Sequence, residues 1–509
     1  MSFSSRKLWL LVFDLLATFL SGWIALAFDH SLSVTIGNFG RVLECLIIFS
    51  FFYLAGFFIW RTFDSFKREF INEDFFYSAA GVGTGSLLSA IWIYAGMPHS
   101  ICDYHDIILQ FVFSLILIRA IRSIIRLHFY YYSRRSENNG SYGLSDMTLL
   151  NMELSQLLSR DPIKIDEEII RKEISGHCVL VTGAAGSIGR ALVLRLASYK
   201  PGHMVIIDQA ETPLHDLELE LRRDYVGLKF TSVLCSVCDK VRLEPIFERY
   251  KPQIVFHAAA YKHVSMMQQN IVECIHNNVY GTVNVAEHAI KHGCNKFILI
   301  SSDKAVNPTG IMGCSKRICE IYCQVLAESQ KGRGCVFITT RFGNVLGSNG
   351  SVVPIFRDQI RRGGPLTLTH PDVIRYFMLV EEACDLVLEA SALGKSGEIF
   401  VFDMGTPVRI QDLAKKMIKI SRRSDIKIEY IGLQPGEKLF EEILADREKF
   451  RATANSKLWI AEDRAFSFDE TIKQIEELMD SARGNNIEKT LKLMHHIVPE
   501  FKEVHNGSK

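Results

Sequence analysis

Four apolar stretches, at about 8–28, 42–60, 77–97 and 107–125, open the chain. Each is close to the ~20 residues that a helix needs to cross a hydrocarbon core. Arg119 and Arg122 interrupt the fourth. Arg6 and Lys7 precede the first stretch, and Arg61, Lys67 and Arg68 follow the second. Arg119, Arg122, Arg126, Arg134 and Arg135 crowd the end of the fourth, whereas the opposite loops carry only Arg41. This distribution of cations predicts four spans with both ends cytoplasmic. A cleaved leader is not expected: the first run is long, no small-residue cleavage site follows it, and three more spans come after. Asp14 and Glu44 lie in or near the spans. An intramembrane carboxylate is a functional candidate by default. No transporter-like pattern of broken helices accompanies them, so helix packing or an interfacial position is expected.

Beyond the spans the pattern turns polar. Residues 128–175 read as a linker, with short amphipathic helices at 149–158 and 166–174. From 176 the period changes again. Short apolar runs at 178–181, 203–207, 230–234, 254–257, 297–302 and 336–340 alternate with helical stretches. That alternation predicts an α/β fold, a doubly wound parallel sheet. A helical, amphipathic tail is expected over 466–501. The predicted organisation is a membrane region at 1–127, a linker at 128–175, a catalytic domain at 176–455 and a helical tail at 456–509.

Composition narrows the function. The 509 residues exceed one ordinary core. Lys and Arg number 58 against 57 Asp and Glu, so no excess of cations points to nucleic acid as a partner. The 12 cysteines are scattered, which favours buried free thiols in a reducing compartment. One C-x-x-C, Cys235 to Cys238, has no second pair and no His at finger spacing, so no metal site is expected.

The first apolar run of the soluble part leads into Thr182-Gly-Ala-Ala-Gly-Ser-Ile-Gly189 and then a helical stretch. Gly183, Gly186 and Gly189 therefore fall at a strand-to-helix turn. Backbone N–H groups around Ala185, Ser187 and Ile188 would face a pyrophosphate at the positive end of the helix. The second run ends at Asp208, nineteen residues after Gly189. A carboxylate there accepts ribose hydroxyls and repels a 2′-phosphate, which favours NAD over NADP. Ala258, Ala259 and Ala260 follow the fourth run, leaving room for a flat cofactor.

The segment from Ile300 to Lys316 carries the candidate chemistry. Lys316 stands four residues after Met312, on one helix face. In extended short-chain dehydrogenases the first position of such a pair is the tyrosine base. A thioether transfers no proton, so simple dehydrogenation or C4 epimerisation loses its central base. Asp303 and Lys304, at the end of the fifth run, offer an acid and a base instead. The lysine must be neutral to act. Burial and a neighbouring cation, such as Lys316, are expected to lower its pKa. Burial is likewise expected to keep Asp303 protonated.

With these stretches, and with Ala258–Val264, Asn278–Thr282, Arg341–Gly347, Arg375–Met378 and Gln434–Leu439, the chain from about 161 to 501 resembles the membrane-anchored UDP-N-acetylglucosamine 4,6-dehydratases of bacterial glycan biosynthesis. Methionine in place of tyrosine is typical of that membrane-bound branch. The resemblance implies a Rossmann domain of the extended short-chain dehydrogenase/reductase type, NAD as cofactor, and a multi-pass protein of the bacterial inner membrane with its catalytic domain cytoplasmic. A homo-oligomer is also implied. Lys304 would remove the C5 proton and Asp303 protonate the departing C6 hydroxyl. Ser302 would bond the sugar near C4, and Lys316 would hold the nicotinamide ribose. Lys262, Asn344, Arg375 and Glu437 would contact substrate, Asn344 and Arg375 at the diphosphate and Glu437 at the uridine ribose. The helix at about 356–362 reads as a basic element near the same site. Ser236 and Gln434 stand where the family usually has Asp and Arg, and Ser265 where it has Pro. Two other readings stay open: a nucleotide-sugar epimerase on the same scaffold, and a non-catalytic membrane organiser that binds NAD and nucleotide sugar.

Overall fold

The computed structural model describes residues 5–30, 39–60, 62, 71–95, 104–137 and 165–502, apart from 333, 349, 422, 424, 443–448 and 463. The short helix expected at 149–158 lies outside these residues. The chain divides into two units, Met1–Met152 and Glu153–Lys509.

In the first unit the apolar runs form helices α1 (Ser5–His30), α2 (Phe39–Ile59), α3 (Ile71–Tyr94) and α4 (Tyr104–Glu137). All four are long and apolar enough to cross a membrane. Polar groups inside the bundle pair across helices. Tyr53 Oη lies 2.8 Å from Ser86 Oγ, and Gln110 Nε2 donates to the Thr18 carbonyl at 3.1 Å. Asp14 is buried and ion-paired with buried Arg122, which also donates to the Thr62 carbonyl at 3.2 Å. Helix packing is thus where Asp14 acts, while Glu44 faces outward.

In the second unit a nine-stranded sheet is built from β1 (Cys178–Thr182), β2 (His203–Asp208), β3 (Phe230–Leu234), β4 (Ile254–His257), β5 (Lys296–Ile300), β6 (Val336–Arg341), β7 (Ile399–Phe402), β8 (Lys449–Ala452) and β9 (Leu458–Glu462). Its order is β8-β9-β7-β6-β5-β4-β1-β2-β3. The seven strands from β7 to β3 run parallel, in register Val181↔Phe256 and Phe256↔Ile298 for example. Except at the edge strand β3, which is only half-buried, their interior residues are buried on both faces, as helices covering both sides require. The order reverses between β1 and β4, the place where such sheets bind ligands beyond their carboxyl ends.

The boundary at 455/456 differs from expectation. Residues 456–509 are not wholly helical, because Leu458–Glu462 pairs antiparallel with Ile399–Phe402 and extends the sheet. The tail also packs into the core of the unit. Met494, Ile497, Val498 and Phe501 are buried in the same core as Met312 and Ile318. Arg317 binds Glu500 at 3.0 Å and Glu320 at 3.2 Å. Glu320 in turn accepts from Arg341 at 2.7 Å and from Ser301 at 2.6 Å. This buried chain of charges ties β6 and the end of β5 to the Ile311–Ser329 helix and so fixes the floor of the site.

Candidate active site

The loop after β1 has the form its glycines predict. Gly183 has φ +63°, and a Cβ there would lie 2.6 Å from backbone atoms of Ala259. The close approach brings the β1 and β4 loops together, with Ala258 N donating to Thr182 O at 3.1 Å. Gly186 caps the Ser187–Ser198 helix without a side chain, leaving its N-terminal end open to an anion. Asp208, at the end of β2, accepts Ala185 N and Ala210 N at 2.9 Å each. It therefore orders the glycine loop as well as presenting a carboxylate where a ribose would lie. Ala258, Ala259 and Ala260 are half-buried and leave the strand end unobstructed. These groups fit an adenine dinucleotide. Ser236 Oγ accepts Cys238 N at 3.2 Å, and the nearby Asp239 caps the next helix through Arg242 N at 3.0 Å. Cys235 and Cys238 are free thiols, and no cluster of metal ligands occurs among the described residues.

Beneath this loop lies His257, which sequence reasoning assigned no role. Its ring is fully buried, with Thr182 Oγ1 at 2.7 Å and Thr282 Oγ1 at 3.0 Å. Thr282 donates to Asn278 O at 2.6 Å, so it accepts from His257 Nε2, and Nδ1 accepts from Thr182. Burial and the nearby Lys316 push its pKa down to about 3, so it is a neutral tether. Asn278, in a π-turn, holds Tyr261 by both backbone groups at 2.7 and 3.1 Å and also bonds Ser315 at 3.0 Å.

Asp303 and Lys304 open a 3₁₀ turn directly beyond β5. Asp303 is 1% exposed. Its Oδ1 accepts Lys304 Nζ at 3.0 Å and Ser302 Oγ at 2.8 Å, while buried Oδ2 has no partner. Lys304 Nζ also donates to Asn344 Oδ1 at 3.0 Å. Across the cleft, Glu441 Oε1 lies 3.7 Å from Lys304 Nζ and 3.7 Å from Arg375 Nε. The backbone here is held by contact with Gly313, where a Cβ would fall 2.1 Å from the Lys304 carbonyl. Met312 is buried at the start of that helix, and Lys316 is buried one turn on.

The charge state of Lys304 differs from the sequence expectation. Burial alone would lower its pKa, but the Asp303 and Glu441 carboxylates outweigh burial, and the pKa is raised. Lys304 rests as an ammonium. Lys316 behaves the other way, its pKa lowered by burial.

Several predicted contacts are redirected. Arg375 reaches the cleft, but both Nη groups donate to protein: to Ile374 O, Leu439 O, Glu437 Oε1 and Lys438 O at 2.7–3.2 Å. It clamps the segment that carries Glu437 and Glu441, and its Nη donors are not turned to a diphosphate. Glu437 also accepts from Thr369 at 3.0 Å and from Gln434 N at 3.2 Å. Asn344 supports Lys304, and Ser302 supports Asp303. Lys262 is exposed, and its neighbours His263, Val264 and Ser265 line the cleft instead. Arg361 and Arg362 of the basic helix pair with Asp358 on the surface and do not line it. The cleft, of about 260 Å³, is walled by Lys304, Thr309, Arg375, Gln434, Glu437 and Glu441 among others. Glu441 is the site residue that sequence reasoning missed.

A doubly wound parallel sheet, a glycine loop with an acidic ribose position and a reactive pair beyond the fifth strand define the short-chain dehydrogenase/reductase class. Within it the chain belongs to the polysaccharide biosynthesis protein family, whose profile matches residues 179–463. The capsular polysaccharide biosynthesis protein CapD of Staphylococcus aureus is 45% identical over 303 residues, 59% of this chain and 50% of CapD. The chain thus spans about half of CapD's own length. A UDP-glucose 4-epimerase of Rickettsia rickettsii is 33% identical over 276 residues, 54% of this chain and 79% of that protein. The X-ray structure of Pen from Bacillus thuringiensis is similar with a TM-score of 0.53 at 29% identity, covering 58% of this chain and 90% of Pen.

Proposed function

We propose that this protein dehydrates UDP-N-acetylglucosamine to a 4-keto-6-deoxy sugar nucleotide for glycan synthesis. The observation that carries the reading is the Asp303–Lys304 pair, hydrogen-bonded at 3.0 Å beyond β5, where Met312 stands in place of a phenol. Two proton-transfer groups of opposite kind suit elimination. The Gly183–Gly189 loop, Asp208 and Lys316 would hold NAD, which would supply the hydride acceptor for C4 and the hydride donor for C6.

The residues of this chain handle the protons. The active form has Lys304 as the free amine and Asp303 as the carboxylate, one proton below the resting ion pair. The C4 hydroxyl proton passes to Asp303, whose buried Oδ2 lacks a partner. Lys304 takes the C5 proton, made acidic by the C4 ketone. Asp303 delivers its proton to the departing C6 hydroxyl, and water leaves. Lys304 then reprotonates C5, which restores both groups. Ser302 and Asn344 orient the pair. Glu437, held by Arg375, belongs to the nucleotide end, where Gln434 and Thr369 also line the cleft. The four apolar helices hold the enzyme, with its catalytic unit cytoplasmic, at the bacterial inner membrane where lipid-linked glycans are assembled. We assign a homo-oligomer on family resemblance.

The test is incubation with UDP-N-acetylglucosamine in deuterated water, followed by NMR. Loss of one water and one deuteron at C5 are expected. A second reading, epimerisation, is favoured by the Rickettsia relative. A sugar inverted at C4 or C5 with no water lost would replace the first reading by the second.

A further inference from the structure

Glu441 is nine-tenths buried, follows the Gln434–Leu439 motif, and faces the reactive lysine from another part of the chain. Its placement is imposed from outside. Arg375 holds the carbonyls of Lys438 and Leu439, Ile374 N donates to Leu439 O at 3.0 Å, and Phe440 bridges to Ile374. The carboxylate that results is poorly satisfied as a structural ion pair. Oε1 stands 3.7 Å from both Lys304 Nζ and Arg375 Nε, beyond hydrogen-bond range, and buried Oε2 has no partner. A buried carboxylate kept only to hold the fold is expected to have its oxygens bonded. The adjacent Glu442 shows the contrast: it is exposed and accepts Asn307 Nδ2 at 2.7 Å.

We infer that Glu441 is a positioning residue of this site: its charge, set between Lys304 and Arg375, governs how readily Lys304 releases its proton and how strong a base the freed amine is. This deepens the dehydratase reading and rests on Lys304 being its base. The groups facing Lys304 are Asp303 beside it, with Glu441 and Arg375 across the cleft, and His263, Glu437 and Lys438 line the same cleft. Two carboxylates against one guanidinium leave the ammonium favoured, in keeping with the raised pKa. A more basic amine abstracts a carbon-bound proton faster once free, but it is free at higher pH. Glu441 therefore trades working range for base strength.

The full chain in detergent, as wild type and Glu441→Gln, is labelled with trace acetic anhydride across a pH series. Acetylation of Lys304 is read by mass spectrometry, with Lys438 as internal reference. The half-labelling pH of Lys304 should fall by about one unit in the variant, because an opposite charge within ~4 Å has been removed. That of Lys438 should stay put. With UDP-N-acetylglucosamine, the acid limb of turnover should move down by the same amount while the alkaline plateau drops several-fold, so the two profiles cross. A uniform loss with no movement of the limb is the mark of a structural role and overturns the proposal, as does an unmoved Lys304 labelling curve. If neither protein dehydrates the sugar, the dehydratase reading falls, and the labelling curve still decides the role of Glu441. If Glu441→Gln does not fold, Glu441→Asp serves. It keeps the charge but withdraws it by one methylene, and must shift the curve the same way by less; no shift overturns the proposal.

Discussion

Lys304 donates to Asp303 Oδ1 at 3.0 Å from the adjacent position in the chain, so the ammonium of the proposed base is held by its own neighbour. Lys304 rests as an ammonium, one proton above the free amine that the proposed reaction needs. With Lys304 raised, the free amine grows as pH rises toward the folded pKa. Turnover is therefore expected to climb from neutral into alkaline pH. The stability that the ion pair contributes has its own window: it is full below the ordinary lysine pKa and lost as pH rises through the higher folded value. A kcat–pH profile falling across that range would contradict Lys304 as the base.

Replacing the two groups should separate their roles. Lys304→Met should abolish deuterium exchange at C5 together with product, by about 10²–10⁴-fold or more. Asp303→Asn keeps the shape but neither takes the C4 hydroxyl proton nor gives one at C6, so it should slow C5 exchange as well as loss of water, and loss of water further because that needs Asp303 twice. Met312→Leu is a near volume-conserving change of a buried residue, expected to cost under about 1.5 kcal/mol of stability and little rate. NMR in deuterated water reads all three.

Gly183→Ala should strike the cofactor site. At φ +63° a side chain is strained, and the new methyl would press on Ala259 at 2.6 Å. Destabilisation of about 1–3 kcal/mol is expected, with loss of bound dinucleotide when the purified protein is extracted and weighed by mass spectrometry.

Glu320→Gln should loosen the floor of the site. Burial would raise the pKa of Glu320, but Arg341 and Arg317 overcome it and hold the pKa below the usual carboxylate value. A depressed pKa gives stability that is present above the unfolded carboxylate value and lost as pH falls through the folded one. The variant takes the negative charge of Glu320 away from buried Arg341, at about 3–5 kcal/mol. Thermal melts should show a lower Tm at neutral pH and a flatter decline on acidification than wild type.

Six of the seven parallel strands were legible because each is a short apolar run closed by a turn, and Cys178–Thr182 and Ile254–His257 stand where those runs are; the seventh, Ile399–Phe402, was not read. Strands β8 and β9 were not, since Leu-Trp-Ile-Ala-Glu462 is no different in kind from the start of an amphipathic helix. Pairing with Phe402 and Ile399 decides it, and that contact lies some sixty residues away in sequence. At the site, Asp303, Lys304 and Met312 stood out by their position after β5. The charge of Lys304 did not, because it depends on Glu441, and nothing local distinguishes Glu441 from Glu442. The chain turns one inward and leaves the other in solvent. Arg375 misled for a similar reason: guanidinium suits phosphate, but the carbonyls of Lys438 and Leu439 reach it in the fold.

The pairing of Asp14 with Arg122 sets an order of assembly. α1 leaves the ribosome long before α4, and a lone carboxylate inside a span carries an insertion penalty that reaches about 2.5–3.5 kcal/mol only at the helix centre. Until α4 arrives, α1 is a poor tenant of the hydrocarbon and α4 an equally poor one alone. The two helices settle together, and α2 and α3 pack beside them in the same bundle. A chain interrupted before residue 122 would leave Asp14 without its counter-charge, exposed to whatever surveys unassembled helices in the membrane.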